Sequence, residues 1–307
     1  VRANGRKDEW VKALGQRRFL VPTSVAVAAA MGLAACGGGP TASGSARPLN
    51  PIATAFDATT AVGSANVALS LDENVTVGGA DQKIAITGTG AADFGTDQAE
   101  MTINSAALGR GLQEIVTKQA VFIKAPQALA GKLAPGVSWL KIDLGALVDQ
   151  SAQGSGGLLG AGGGNPADFL QVLRTVSSSG VRAIGPSSVD GVSTTEYAGT
   201  VDLSTAAARL SPTLRSLLAS TVTHPTPLPV RIWLDGTGRV RQLQVDEDLH
   251  LSISGHSGRA VVKVVVKFSG FGVAVAITQP PDNEVFDATA QVTKLFMAVS
   301  GSGVSSG

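Results

Sequence analysis

The chain is poor in cysteine, histidine and aromatic residues. Of its 307 residues one is Cys, three are His and 4% are aromatic. A single thiol forms no disulfide within the chain and builds no multi-cysteine metal site. Three scattered histidines leave little room for a His-rich centre. So few aromatics argue against stacking platforms for bases or sugars. Charged side chains make up 15% against 44% hydrophobic. That balance fits neither a disordered tail nor a charge-driven nucleic-acid binder. No nucleic-acid partner and no cofactor are expected. The length suffices for one large domain or two small ones.

The net charge of +1 hides an asymmetry. Arg2, Arg6, Lys7, Lys12, Arg17 and Arg18 lie in the first 35 residues, against only Asp8 and Glu9. The basic excess therefore belongs to a leader, and the remainder is acidic by a few charges.

That leader has three parts. A basic stretch ends at Arg17-Arg18, and an apolar run extends from Phe19 to Ala35. Leu33-Ala34-Ala35-Cys36 then precedes Gly37-Gly38-Gly39-Pro40. Positive end, short greasy segment and small residues at the cut form the order of a secretory signal. The Leu-Ala-Ala-Cys step resembles the bacterial lipobox. Small side chains admit a peptidase between Ala35 and Cys36, and the Cys36 thiol would carry a diacylglycerol. Two acyl chains, at about 0.8 kcal/mol per buried methylene, hold such an anchor to a membrane. An uncleaved span or a soluble secreted form are the plainer alternatives. The run of about 17 residues is at the short edge for a span. Both the general secretory route and twin-arginine export stay open. Residues 1–35 are thus expected to be a lipoprotein signal peptide, and 36–51, rich in Gly, Ser, Thr and Pro, a flexible tether. Residues 300–307 read as a loose tail.

From Ile52 on, apolar residues alternate with polar ones at the period of a strand. Val67, Leu69 and Leu71 do so, as do Ile84 and Ile86, followed by Gly88 and Gly90. Met101, Ile103, Ile115, Val121, Ile123 and the Trp139–Ile142 stretch continue the pattern. Asp190-Gly191 and Asp235-Gly236 are tight-turn signals between such segments. Leu243, Val245, Leu249, Leu251 and Ile253 share one face, and Val262, Val264, Val266 and Phe268 follow a Ser-Gly-His-Ser-Gly turn. Val273, Val275 and Ile277 close the series. The count is about ten or eleven strands, mostly joined by short turns and hence antiparallel. Arg241, Gln242, Gln244, Asp246, Asp248 and His250 mark a wet face opposite the apolar one.

Helical signals are few. Ile52, Ala55, Phe56 and Thr59 form a stripe after Pro51. Pro126 to Leu133 reads as a short helix. Asn165 caps and Pro166 opens a helix with Phe169, Leu170, Leu173 and Val176 on one side. Leu203 to Val222 carries Leu210, Leu214, Leu217 and Leu218. Gly154–Gly164 reads as a mobile glycine-rich loop. No composition break divides 52–299, so one domain is expected. Its fold class is α+β: a single curved antiparallel sheet with helices packed on its concave face. So few helices and so few aromatics would leave the interior partly unfilled, as an apolar cavity of several hundred Å³.

The residues expected to face that cavity are Val67, Leu69, Leu71, Ile84, Ile86, Leu243, Val245, Leu249, Leu251, Val264, Val266 and Phe268 from the strands. Phe169, Leu173, Leu214 and Leu217 would join them from the helices. For any one of them dry core is the plainer reading; the cavity concerns the set. Glu247 interrupts the alternation between Val245 and Leu249. It either reaches toward a polar group or, more plainly, sits at a bulge or strand end in water. His224, His250 and His256 form no metal constellation.

Nothing in the chain has the pattern of an active site, and no enzyme is expected. Gly154-Ser155-Gly156 and Gly255-His256-Ser257-Gly258 are not a nucleophile elbow. Gly162-Gly163-Gly164 lacks the lysine and Ser/Thr of a phosphate loop. Asp246, Glu247 and Asp248 read as a solvated edge.

The order of these elements resembles the actinobacterial LppX/LprA/LprF/LprG lipoproteins and, more distantly, LolA and LolB. The lipobox at Cys36 carries it, with Asp190–Tyr197 leading into Gly199–Leu203. Pro229–Asp235 with Gly238–Arg241, and Phe268–Gly272 before Pro280-Pro281, complete it. The resemblance spans most of Ile52–Phe286 and rests on the combination. It implies a half-barrel around an apolar cavity that carries lipid or lipoglycan acyl chains. It also implies an exported protein on the outer face of the cell membrane, in a periplasm-like space or the cell wall. Its partners would be a lipid ligand, the membrane and envelope export proteins. A cargo-free scaffold lipoprotein engaging other envelope proteins is the alternative.

Overall fold

The computed structural model describes residues 51–77, 80–106, 109–126, 129, 132–146, 170, 173, 176, 180–201, 228–253 and 256–294. Cys36, Phe169, Leu214 and Leu217 lie outside them. So do the leader, the tether up to Asn50, the 154–164 loop, the 203–222 segment and the 300–307 tail, while Pro51, expected at the end of the tether, starts a helix.

Helix α1 spans Pro51–Thr60. Proline suits its first turn, where no backbone N–H needs a partner. The expected stripe is the buried one: Ile52, Ala55 and Thr59 are fully buried and Phe56 is half-buried. Thr59 is the polar member. Its hydroxyl donates to Ala55 O and accepts the Val240 N–H at 2.9 Å, which ties the helix to the sheet.

Among the described residues twelve strands follow, the first six being β1 Ser64–Val77, β2 Ala80–Asp93, β3 Gln98–Ser105, β4 Gly109–Val116, β5 Ala120–Lys124 and β6 Trp139–Asp143. The second half holds β7 Arg182–Val189, β8 Val192–Val201, β9 Leu228–Asp235, β10 Val240–Ile253, β11 His256–Ser269 and β12 Val285–Asp287. They form one curved open sheet in the order β12-β6-β5-β4-β3-β2-β1-β11-β10-β9-β8-β7. Two meanders, β1 to β6 and β7 to β11, are thus joined through the long β1–β11 pairing.

Three expectations need correcting. Among the described residues the strands number twelve, because β12 adds a short edge strand, and it pairs parallel to β6. A hairpin cannot deliver a parallel strand. Here residues 270–284 carry the chain from the middle of the sheet to its edge. Val273, Val275 and Ile277 are consequently no strand: they belong to this extended, unladdered strap. Finally, His256, Ser257 and Gly258 are not a turn but the start of β11, paired with Ile253, Ser252 and Leu251.

Turn chemistry accounts for the hairpins. Asp190 and Gly191 both have positive φ, 48° and 82°, between the paired Val189 and Val192. That is the twist a two-residue hairpin requires. Asp235-Gly236 instead opens a longer loop, since Asp235 N donates to Arg239 O. The Asp235 carboxylate accepts from Thr237 N, Thr237 Oγ1 and Arg239 N.

β2 holds one close backbone approach. At Gly90, where β2 lies between β1 and β3, an added Cβ would stand 1.9 Å from Glu100 O. Only a residue without a side chain lets β3 come so close. Both edges are blunt. β7 carries Pro186 and a bulge between Ala183 and Gly185, and β12 has three residues. Such devices block edge-to-edge pairing with another chain.

Candidate functional site: the inner face of the sheet

Backbone register lines up the apolar alternation into rows that cross the sheet. One row reads Leu112, Ile103, Gly88, Leu69, Val266, Leu243, Ile232 and Tyr197, one residue from each of eight neighbouring strands. The next reads Ile86, Leu71, Val264, Val245 and Val230. Val67 and Phe268 face each other in the adjacent row. The sequence-derived set Val67, Leu69, Leu71, Ile84, Ile86, Leu243, Val245, Val264, Val266 and Phe268 thus shares one face.

Their burial divides that face in two. Val230, Ile232, Leu243, Val245, Val264, Val266 and Phe268, with Val67 of β1, are all buried, together with Leu170, Leu173 and Val176 and with Ile52 and Ala55 of α1. This is dry core. Leu69, Leu71, Val75, Ile84 and Ile86 of β1 and β2, with Leu112 of β4, are half-buried. Apolar side chains there keep part of their surface uncovered, on the β1–β4 side of the same face, although Met101 and Ile103 of β3 on that side are buried and belong to the core. The side chains of Leu249 and Leu251 lie outside the description; their backbones continue β10 opposite Ala260 and Gly258.

Two carboxylates interrupt the apolar face, and sequence reading missed both. Glu73 is 1% exposed, in register with Val262 and Ile84. Glu114 lies between Met101 of β3 and Ile123 of β5, and burial pushes its carboxyl up to about 7. The signal was present: Glu73 falls two residues after Leu71, and Glu114 two after Leu112, each in an apolar phase. Glu247, which sequence reading singled out, sits mid-strand without a register shift, opposite Val262. The strand-end and bulge readings are therefore corrected. Glu73 and the Glu247 backbone flank Val262 from its two sides.

The opposite face is wet. Lys267 pairs with Asp190 at 2.8 Å, Arg231 with Glu196 at 3.5 Å, and Arg259 with Asp248. It also holds a groove of about 580 Å³ lined by Asp72, Asn74, Pro229, Asp246, Asp248, Val261, Val262 and Lys263. The cavity expected between sheet and helices would depend on residues outside the described set.

At one end of the sheet, Arg239 and Arg241 converge on Asp235. Their Nε atoms donate to Asp235 Oδ2 at 3.2 and 2.9 Å. Burial pushes this carboxyl up, but hydrogen bonds from Thr237, Arg239 and Arg241 outweigh it and hold the group at about 2. Both guanidinium groups also lie over the Phe271 ring, 4.7 and 4.6 Å from its centre.

Comparison with known proteins gives structures only. No family model matches the chain, and no curated protein does either. Among solved structures it is similar to lipoprotein LppX of Mycobacterium tuberculosis, at 16% identity and a TM-score of 0.40, over 74% of this chain and 96% of that one. It is similar to LprF from Mycobacterium bovis, at 16% identity and a TM-score of 0.36, over 77% and 99%. A LolA superfamily protein from Nitrosomonas europaea follows at 10% identity and a TM-score of 0.26, over 76% and 94%. LppX and LprF are among the lipoproteins that the sequence resembles.

Proposed function

We propose that this chain is an exported, membrane-tethered lipoprotein that holds lipid acyl chains against the inner face of its sheet and performs no catalysis. One observation carries the reading. Leu69, Leu71, Ile86 and Leu112, packed at the rim of the core, with Ile84 on the same face, form an apolar surface that the fold leaves half-covered. Aliphatic side chains bind hydrocarbon by area alone, at roughly 0.8 kcal/mol per methylene removed from water. Selection would then follow chain length and shape rather than head group. The anchor on Cys36 would keep the domain at its donor membrane, on the outer face, where lipid or lipoglycan is the partner and export proteins would hand it on. The solved lipoprotein structures to which the chain is similar agree with this reading in kind.

The test is mass spectrometry of full-length protein purified gently from membranes. Lipid recovered in near one-to-one amount, together with a diacylglycerol-modified Cys36 as the first residue, is the expected result. A protein that stays empty when offered lipids would overturn the carrier reading. It would favour the scaffold alternative, for which the groove on the wet face is the candidate contact.

A further inference from the structure

The strap from Phe271 to Ile277 touches the core through its first residue, Phe271. Its sequence, Phe-Gly-Val-Ala-Val-Ala-Ile, is apolar throughout, yet it joins no ladder. Gly272, Val273, Ala274 and Ala276 are exposed, Val273 to 38%. Ile277 is pinned below, against the Ile115, Ala120 and Phe122 cluster. Gly272 N donates to Ser64 O and Ser64 Oγ to Val273 O, so the strap is held at the start of β1. An exposed apolar strip held in place by its neighbours marks a contact surface.

Its charge surroundings say what it meets. The strip begins at Phe271, directly under the Arg239 and Arg241 guanidinium groups. The two arginines share one carboxylate, Asp235, which leaves one net positive charge beside the apolar run. Helix α1, which follows residues 1–50, is bonded by Thr59 to Val240, the first residue of β10, which lies between Arg239 and Arg241 in the chain. Apolar residues beside arginine suit the boundary between anionic headgroups and acyl chains. The unladdered backbone needs water or headgroup partners, which keeps the strip at that boundary and out of the hydrocarbon.

We propose that the Phe271–Ile277 strap, flanked by Arg239 and Arg241, is the surface with which the domain rests on an anionic lipid bilayer.

The test uses the full chain carrying Cys36→Ser, so that an introduced cysteine is the one thiol. Val273→Cys is labelled with an environment-sensitive fluorophore, and Ile184→Cys, on the exposed edge strand β7, is the control. Both are mixed with phosphatidylcholine vesicles with or without phosphatidylglycerol. The expected result is a blue shift at position 273 alone, only with phosphatidylglycerol and reduced by salt. Arg241→Gln should weaken the response about fivefold. Because Arg241 also supports the loop, salt titration of the unsubstituted arginines gives the same information without that variant. A probe at 273 that stays water-like, that responds equally without phosphatidylglycerol, or that shifts no more than the one at 184 overturns the proposal.

Discussion

Leu69 and Val266 face each other across the β1–β11 ladder, yet Val266 is 1% exposed and Leu69 is half-buried. A boundary between filled core and half-covered apolar surface runs between these two side chains, and the same row is buried again at Ile103 of β3. Val266 belongs to the buried core together with Leu170, Leu173 and Val176, and Leu69 packs at the edge of that core.

That boundary predicts two classes of variant. Leu243→Ala, in the packed half, should cost about 2–5 kcal/mol. Leu71→Ala should cost less than half as much, because less surface leaves water there. Urea unfolding measures both. Leu71→Asp should leave the fold intact and abolish lipid retention, read by mass spectrometry.

Glu114 predicts a pH dependence. Its folded-state carboxyl titrates at about 7 rather than near 4.5, because burial disfavours the charge. The folded chain therefore holds a proton that the unfolded chain has released, and stability falls as pH rises from about 4.5 through 7. Since the side chain is only half-buried, the loss should be on the order of 1–2 kcal/mol. Glu114→Gln should flatten the curve over that range. An unchanged slope in the variant would refute the assignment.

Asp235 predicts the opposite sign. Its carboxyl titrates at about 2, below the ordinary 3.8, so its contribution is complete above pH 4 and disappears as pH falls through 2. Asp235→Asn should remove about 1–3 kcal/mol at neutral pH by leaving the two arginines and the loop N–H groups poorly partnered. Thermal unfolding at pH 7 and at pH 2 checks both halves: the variant and the parent should differ at the first and converge at the second.

Gly90→Ala should cost about 3 kcal/mol or more, since the new methyl group meets the Glu100 carbonyl. Gly191→Ala, at a positive φ but with nothing close to its Cβ, should cost only about 1 kcal/mol. If the two alanine variants melt alike, the close approach of β3 at Gly90 is refuted.

Much of the strand pattern was legible in the chain. The alternations at Val67–Leu71, Leu243–Val245 and Val262–Phe268 became the inner face, and Asp190-Gly191 became its hairpin. The Val273–Ile277 alternation misled, because period two says only that a segment is extended. A ladder also needs a free neighbour, and the edges near this segment were already taken. Glu73 and Glu114 were overlooked because a carboxylate in an apolar phase looks like a strand end unless the strand's length is known.

Local order in this chain follows from short-range forces. Side-chain alternation, the Pro51 start of α1 and the turn at Asp190-Gly191 each depend on a few adjacent residues, so they can be read in one dimension. The β1–β11 junction of the two meanders, the passage of the strap to β6 and the dividing line between Val266 and Leu69 could not. Each joins residues far apart in the chain, and their outcome depends on which surfaces compete for the same neighbours once the sheet has formed.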